Sequence, residues 1–169
     1  MRLWPYQMLD TLPSRHLLSQ WRECLAIGGM LGANTLNHAT VNRVKDYPIE
    51  HFYAYCDLVR KEFLRRGYTI GTNTLEKLEN DIKYPVKDVD NSLEWNNVNY
   101  EIFEDYSKPV NKMGFKIIKI GDNEEFLFEN FHNERYLKQC LYMFEEKYDC
   151  DMLYEEDWNA MSKKFKNLF

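Results

Sequence analysis

The sequence predicts a mainly α fold, a compact single-domain helical bundle that spans residues 1–169. Three observations lead to this class. A chain of 169 residues is long enough to bury a core without help from disulfides or metals. Its hydrophobic fraction of 44% and charged fraction of 29% are typical of globular proteins. Apolar residues recur at helical spacing in four separate segments, which is the strongest local indication of helices.

The first helix follows the start residues Thr11, Pro13 and Ser14. The spacing of its apolar residues predicts one buried stripe, formed by Leu17, Leu18, Trp21 and Leu25. We expect the glycine pair at 28–29 to end this helix. His16 and Glu23 are two turns apart, so they share a face that lies off the buried stripe.

A second helix begins after Asp46 and Pro48 and ends in "RKEFLRRG", where basic residues and a glycine suit a helix C-terminus. The stretch between the two helices, "NTLNHATVNRVKD", is polar or briefly helical. The second helix presents an apolar face made of Ile49, Phe52, Tyr53, Cys56, Val59 and Phe63.

Regular patterns weaken from about residue 71 to 112, where the sequence predicts a long ordered loop or short helices, with Trp95 in the core. "FKIIKIGDNEEFLFEN" allows one small β-hairpin around Gly121, Asp122 and Asn123. A third helix is predicted from about Asn133 to Tyr148. A last amphipathic helix spaces Trp158, Met161, Phe165 and Leu168 along one face.

Several classes of function are disfavoured by what the sequence lacks. Its four cysteines form no CxxC pair, and its four histidines form no HExxH or HxxxH pair, so we expect no metal site. No glycine-rich phosphate loop follows a strand. The sequence shows neither a membrane-spanning apolar run nor a signal peptide, which favours a cytoplasmic protein with reduced thiols. A monomer is favoured, with the oligomeric state left open.

The net charge of −5 is unevenly distributed along the chain. Residues 1–77 contain ten Lys or Arg and seven Asp or Glu, a balance of +3, whereas residues 78–169 contain twelve against twenty, a balance of −8. Binding of a phosphate backbone needs a basic surface. An anionic partner is therefore expected on the N-terminal half.

Two motifs in this half resemble a known family. "HLLSQWRECLAIGG" is similar to the helix of the phage-type pyrimidine-dimer DNA glycosylases, the endonuclease V family, with its pattern His-Leu-x-x-x-aromatic-Arg-Glu. "NHATVNRVKDYPIEHFYAYCDLVRKEFLRRGY" is similar to the family's His-x-Thr segment and the long helix that follows it. The resemblance covers about residues 1–68. It implies a glycosylase-like helical core at 1–70 and an acidic C-terminal helical extension at 71–169.

The resemblance implies a DNA repair glycosylase with associated abasic-site lyase activity, acting through a Schiff base formed by the N-terminal amine. An α-amine has a pKa of about 7.7–8.0 against about 10.4 for lysine, so more of it is neutral at pH 7. The large Arg2 favours retention of Met1, which would supply this amine. Glu23 matches the family's acid–base residue. No cofactor is implied, because the imine itself acts as the electron sink.

The same resemblance implies that double-stranded damaged DNA is the partner. Arg22 and His16 match residues that bind phosphate or orient the flipped nucleotide, and Arg2 would add a third contact. His38 and Thr40 match the second motif, and Arg43 could follow the phosphates, although an exposed basic residue is the ordinary interpretation.

Some residues leave alternatives open. A family arginine is Ala26 here, which removes one phosphate contact. Trp4 and Tyr6 suit either core packing or stacking on a DNA base. The alternative function is a non-catalytic helical module that binds nucleic acid or protein and retains the glycosylase scaffold.

Overall fold

The structure is a computed structural model that describes residues 1–70, 100–107 and 114–168. Within these ranges the main elements are four α-helices and one antiparallel sheet of three strands, so the mainly α prediction is confirmed. The helices are α1 Ser14–Gly32, α2 Ile49–Arg65, α3 Glu134–Asp149 and α4 Glu155–Lys164. The strands are β1 Glu101–Glu104, β2 Lys116–Ile120 and β3 Asn123–Phe126, in the order β1-β2-β3. Short 3₁₀ helices occupy Tyr6–Thr11, Asn42–Asp46 and Lys166–Leu168.

Helix α1 is longer than the sequence predicts. The glycine pair at 28–29 does not end it, and the helix continues to Gly32. Gly28 is buried, and Met30 and Leu31 pack against the hydrophobic core. Burial of these residues favours the helix over the conformational freedom of glycine, so tertiary packing overrides the local signal.

Helix α2 begins and ends where its flanking residues predict. Pro48 occupies the N-cap position before Ile49. Gly67 adopts a φ of 78°, in the left-handed region that favours glycine, and Tyr68 N–H then donates to the Phe63 carbonyl oxygen over 2.9 Å. Helix α3 also agrees with its prediction, because the Asn133 side chain caps it by accepting the Tyr136 N–H.

The predicted hairpin is formed by β2 and β3. Ile120 pairs with Asn123, so Gly121 and Asp122 make the two-residue turn, with Gly121 at a φ of 59°. The expectation of a loop or short helices is wrong for Glu101–Glu104, which form β1 and pair Ile102 with Ile118. A four-residue strand has little local pattern of its own and depends on a distant partner. The expectation for Trp95 lies outside the described residues.

The N-terminal segment is part of the hydrophobic core. Leu3 and Met8 are fully buried, and Trp4 and Tyr6 are only 8% and 4% exposed. The core interpretation of Trp4 and Tyr6 is therefore confirmed, and base stacking by these two rings is wrong for this conformation. Among the described residues, no helix combines the length and apolar character needed to cross a membrane.

His132 anchors this segment from the start of α3. Its Nδ1 accepts the Tyr6 N–H over 3.2 Å, and its carbonyl oxygen accepts the Gln7 side-chain amide over 3.1 Å. The ring also packs edge-on against Tyr55. Burial lowers the pKa of His132 to about 3, so this histidine is neutral at physiological pH.

We expect mild acid to destabilise the fold through His132. Between about pH 3 and about 6.5 the unfolded chain protonates residue 132 and the folded protein does not. The unfolding free energy should therefore fall as pH decreases through this range, by up to about 1.4 kcal/mol per pH unit for this one group. Urea unfolding monitored by circular dichroism at several pH values measures the slope.

The matched variant is His132→Asn, whose amide oxygen can still accept the Tyr6 N–H but does not titrate. The pH dependence of its unfolding free energy should be weaker than that of the wild type, by the amount that corresponds to the uptake of about one proton on unfolding. An identical pH dependence in the two proteins would contradict the assignment of proton uptake to His132.

Candidate active site at the N-terminus

Side chains from three helices bind the backbone of residues 2–4, which belong to no helix or strand. Gln20 of α1 accepts the Trp4 N–H at Oε1 over 2.9 Å and donates from Nε2 to the Arg2 carbonyl oxygen over 3.1 Å. The hydroxyl of Tyr55 on α2 donates to the Trp4 carbonyl oxygen over 2.7 Å. The hydroxyl of Tyr136 on α3 donates to the Leu3 carbonyl oxygen over 3.0 Å. These bonds fix the path of the chain up to its first residue.

Glu23 binds the same segment one residue closer to the terminus. Its Oε2 accepts the Arg2 N–H over 2.6 Å. Successive backbone nitrogens lie about 3–4 Å apart, so the Met1 nitrogen lies no more than about 6 Å from this oxygen. Met1 is 40% exposed and Glu23 is half-buried. The leading amine is thus accessible from solvent and close to a carboxylate.

His38 contacts the amine from the loop between α1 and α2. Its Nε2 lies 3.4 Å from the Met1 nitrogen, and its Nδ1 accepts the Thr40 N–H over 3.3 Å. A ring nitrogen that accepts a hydrogen bond carries no hydrogen, so the hydrogen of a neutral imidazole is on Nε2. In this tautomer the Nε2–H faces the amine, which accepts it only in the neutral form, where the nitrogen has a lone pair. Asn42 holds the loop by accepting the His38 N–H over 2.9 Å.

Arg2 turns back toward the protein. Its guanidinium carbon lies 5.0 Å from the centroid of the Trp4 ring, and its Nη1 lies 3.0 Å from the Met143 sulfur of α3. Cation–π and sulfur contacts of this kind hold the guanidinium against Trp4 and α3. A DNA contact by Arg2 stays a prediction.

His16 lies apart from the amine, about 10 Å from Glu23 along the axis of α1. Its ring packs edge-on against Trp4 and Phe144, and its Nε2 lies 3.3 Å from Lys147 Nζ. Burial, followed by the positive charges of Lys147 and Arg15, lowers the pKa of His16 to about 4. His16 is therefore a neutral, half-buried ring, and its contact with a flipped nucleotide stays a prediction.

The remaining predicted DNA contacts lie at the surface. Arg22 is exposed, and its side chain leaves α1 in a direction rotated by about 100° around the helix axis from that of Glu23. Thr40 is half-buried, and Arg43 is exposed with its Nη1 donating to the Asn130 carbonyl oxygen over 3.2 Å. The structure therefore brings together Met1, Glu23 and His38.

Sequence reasoning missed the residues that hold the amine in place. Gln20 follows His16 by four residues and precedes Glu23 by three, so helical spacing could have added it to the same face. Tyr136 is 133 residues from Leu3 in the chain, and no local pattern indicates that contact. In the described ranges, no group of three His, Cys, Asp or Glu residues is arranged to hold a metal ion.

We expect Gln20→Met to destabilise the protein by about 1–3 kcal/mol or more, because it leaves two buried backbone groups without partners. The side chains have similar volumes, so packing changes little. Chemical unfolding gives the stability, and hydrogen exchange of the Trp4 amide reports local opening. Ser19→Met, at an exposed site on the same helix, should change stability by no more than about 0.5 kcal/mol. Equal effects of the two variants would contradict the tethering role.

Comparison with known proteins finds one match, in the N-terminal part of the chain. A family model described as pyrimidine dimer DNA glycosylase matches residues 1–75, which include α1, the His38 loop and α2. No curated protein and no solved structure shows a significant match to the chain. The sheet, α3 and α4 lie outside the matched residues. The resemblance to the pyrimidine dimer DNA glycosylase family is thus confirmed for residues 1–75, the segment that contains Met1, Glu23 and His38.

Proposed function

We propose that the protein is a DNA repair glycosylase with associated abasic-site lyase activity, acting on pyrimidine dimers or related base lesions. One observation carries the proposal: Glu23 accepts the Arg2 N–H over 2.6 Å, so a carboxylate lies one residue from an exposed α-amine. The family match over residues 1–75 supports the same activity.

In the first step the amine of Met1 replaces the damaged base. The nitrogen lone pair forms a bond to C1′ of the sugar, and the C1′–base bond breaks with its electron pair on the base. Glu23 stabilises the positive charge that develops on the sugar and transfers a proton from the nitrogen to the departing base. The sugar ring then opens with an electron pair on O4′, which takes up a proton and leaves an iminium at C1′.

In the second step the iminium drives strand cleavage. Removal of a proton from C2′ sends electrons toward the iminium nitrogen, and the 3′ phosphate leaves by β-elimination. Water then hydrolyses the imine and releases the amine of Met1. Glu23 serves as the proton carrier, and the iminium is the electron sink, so the scheme calls on no added cofactor.

His38 is a positioning residue in this scheme. A neutral imidazole that donates from Nε2 suits a neutral amine, which is the nucleophilic form. Thr40 fixes the tautomer by donating its N–H to Nδ1. Arg22 and Arg43, both exposed, are the proposed phosphate contacts on the surface around the amine.

We expect borohydride to trap a covalent adduct between the protein and a duplex that contains an abasic site. Reduction of the iminium makes the bond permanent, and mass spectrometry of a tryptic digest should place it on the Met1 peptide. A variant with one glycine before Met1, produced by proteolytic removal of a leader, moves the amine away from Glu23 and should trap poorly. Failure of the native protein to form any adduct would favour the non-catalytic binding module instead.

We expect Glu23→Gln to reduce turnover by about 10²-fold or more, because proton transfer by a positioned side chain contributes about 10²–10⁴-fold. The new amide oxygen can still accept the Arg2 N–H, so binding of abasic DNA and the melting temperature should stay near wild-type values. Glu156→Gln, at an exposed position of α4, is the control with the same charge change and should cleave normally. Unchanged cleavage by Glu23→Gln would contradict its acid–base role.

A further inference from the structure

An open groove of about 330 Å³ lies between the loop after His38 and the first turns of α3. Its loop wall includes Thr40 and Arg43, and its helix wall includes Arg135 and Gln139. Arg135 and Gln139 are four residues apart on α3 and both are exposed, so their side chains lie on one face of the helix. The groove is lined by Ala39, Thr40, Arg43, Asn130, Phe131, Asn133, Arg135, Tyr136 and Gln139.

Among the residues that the structure describes, the lining of this groove is cationic and contains no carboxylate. This is unusual in the C-terminal half of the chain, where acidic residues outnumber basic ones by twenty to twelve. Two acids adjoin lining residues in sequence: Glu134 forms an ion pair with Lys138 over 2.8 Å, and Glu129 is exposed beside Asn130.

The remaining polar groups in the lining are amides and hydroxyls. Tyr136 and Asn133 already donate to carbonyl oxygens of the protein. The side chains of Thr40, Asn130 and Gln139 are therefore the proposed donors to anionic oxygens.

A second cavity, of about 280 Å³, shows the contrast. Four of its lining residues are cationic, and three of these are paired with carboxylates in the same lining. Lys116 binds Glu104 over 2.8 Å, and Arg65 binds Glu62 over 2.5 Å. Lys164 likewise binds Asp10 over 2.5 Å. Those three charges are neutralised within the protein, whereas Arg43 and Arg135 have no carboxylate beside them in the described lining of the groove next to α3.

Two links connect the groove to the N-terminal amine. Thr40 lines the groove and donates its N–H to His38, which in turn contacts the Met1 nitrogen. Tyr136 lines the opposite wall and donates to the Leu3 carbonyl oxygen. The groove therefore adjoins the residues that hold the amine.

We propose that the groove between the His38 loop and α3 binds the phosphodiester backbone of the damaged strand, with Arg135 as a phosphate ligand and Gln139 as a second hydrogen-bond donor. The inference rests on the proposed repair function and assigns a DNA contact to the C-terminal half of the chain. The bidentate fork of Arg135 suits phosphate oxygens, and Arg43 provides a cation on the opposite wall.

The test is fluorescence anisotropy with a labelled duplex that contains a tetrahydrofuran abasic analogue, which cannot form an imine. Arg135→Gln should weaken binding roughly tenfold, the value of one charge-assisted hydrogen bond. It should also reduce the slope of log K against log salt by about 0.9, the value for one lost phosphate contact on duplex DNA. Lys163→Gln, an exposed site on α4, makes the same charge change and should alter neither quantity.

Arg135→Lys separates charge from geometry, because it retains the cation but loses the planar fork. It should restore the salt slope and only part of the affinity.

The outcomes separate the two proposals. Equal affinity and salt slope in Arg135→Gln and Lys163→Gln, with normal trapping by the native protein, would overturn the groove assignment alone. DNA binding that depends on Arg135 without any trapping would support the groove and overturn the lyase activity. No binding of the native protein to any duplex would overturn both.

Discussion

The structure depends on a set of hydrogen bonds that side chains make to the backbone of residues 2–4. A buried backbone segment needs partners for its N–H and C=O groups, and among the described residues no strand pairs with this segment to supply them. Gln20 binds it twice, and Tyr55 and Tyr136 each bind it once. Because each bond comes from a helix that is itself packed in the core, the position of the leading amine is set by the whole fold.

This arrangement explains why residues outside the matched family segment matter to the candidate site. Residues 1–75 supply the amine, the carboxylate of Glu23 and the imidazole of His38. Helix α3, which follows the match, supplies the Tyr136 hydroxyl bound to Leu3 and the Met143 sulfur beside Arg2. His132 adds a bond to the Tyr6 N–H just before the helix. The C-terminal half therefore packs against the N-terminal segment and helps to position it. This role is structural and does not depend on any contact with DNA.

The sequence predicts those features that arise from local periodicity and turn chemistry. Helix α2 ends near Gly67 because a positive φ is required there, and the hairpin turns at Gly121 for the same reason. Two local predictions are wrong because contacts with distant residues decide the structure. Helix α1 continues past Gly28, which is buried, and the segment predicted as a loop or short helices contains β1, which pairs with β2. At the site, the resemblance indicates Met1 and Glu23, but the Tyr136 contact joins residues 133 positions apart and has no local signal.

The charge distribution is consistent with an acidic protein that acts on DNA. Non-specific affinity for duplex DNA rises with the number of cations that meet phosphates, and a net charge of −5 keeps that general attraction low. Arg22, Arg43 and Arg135 are nevertheless exposed, and the groove that holds the last two contains no carboxylate. If the proposed function holds, such a surface would bind a phosphate backbone only where the strand passes the amine, since the acidic residues elsewhere would repel it. Positive charge confined to the path of one strand would thus favour the productive orientation of the DNA over tight non-specific binding. Each of these three exposed arginines would then contribute a large share of the DNA affinity.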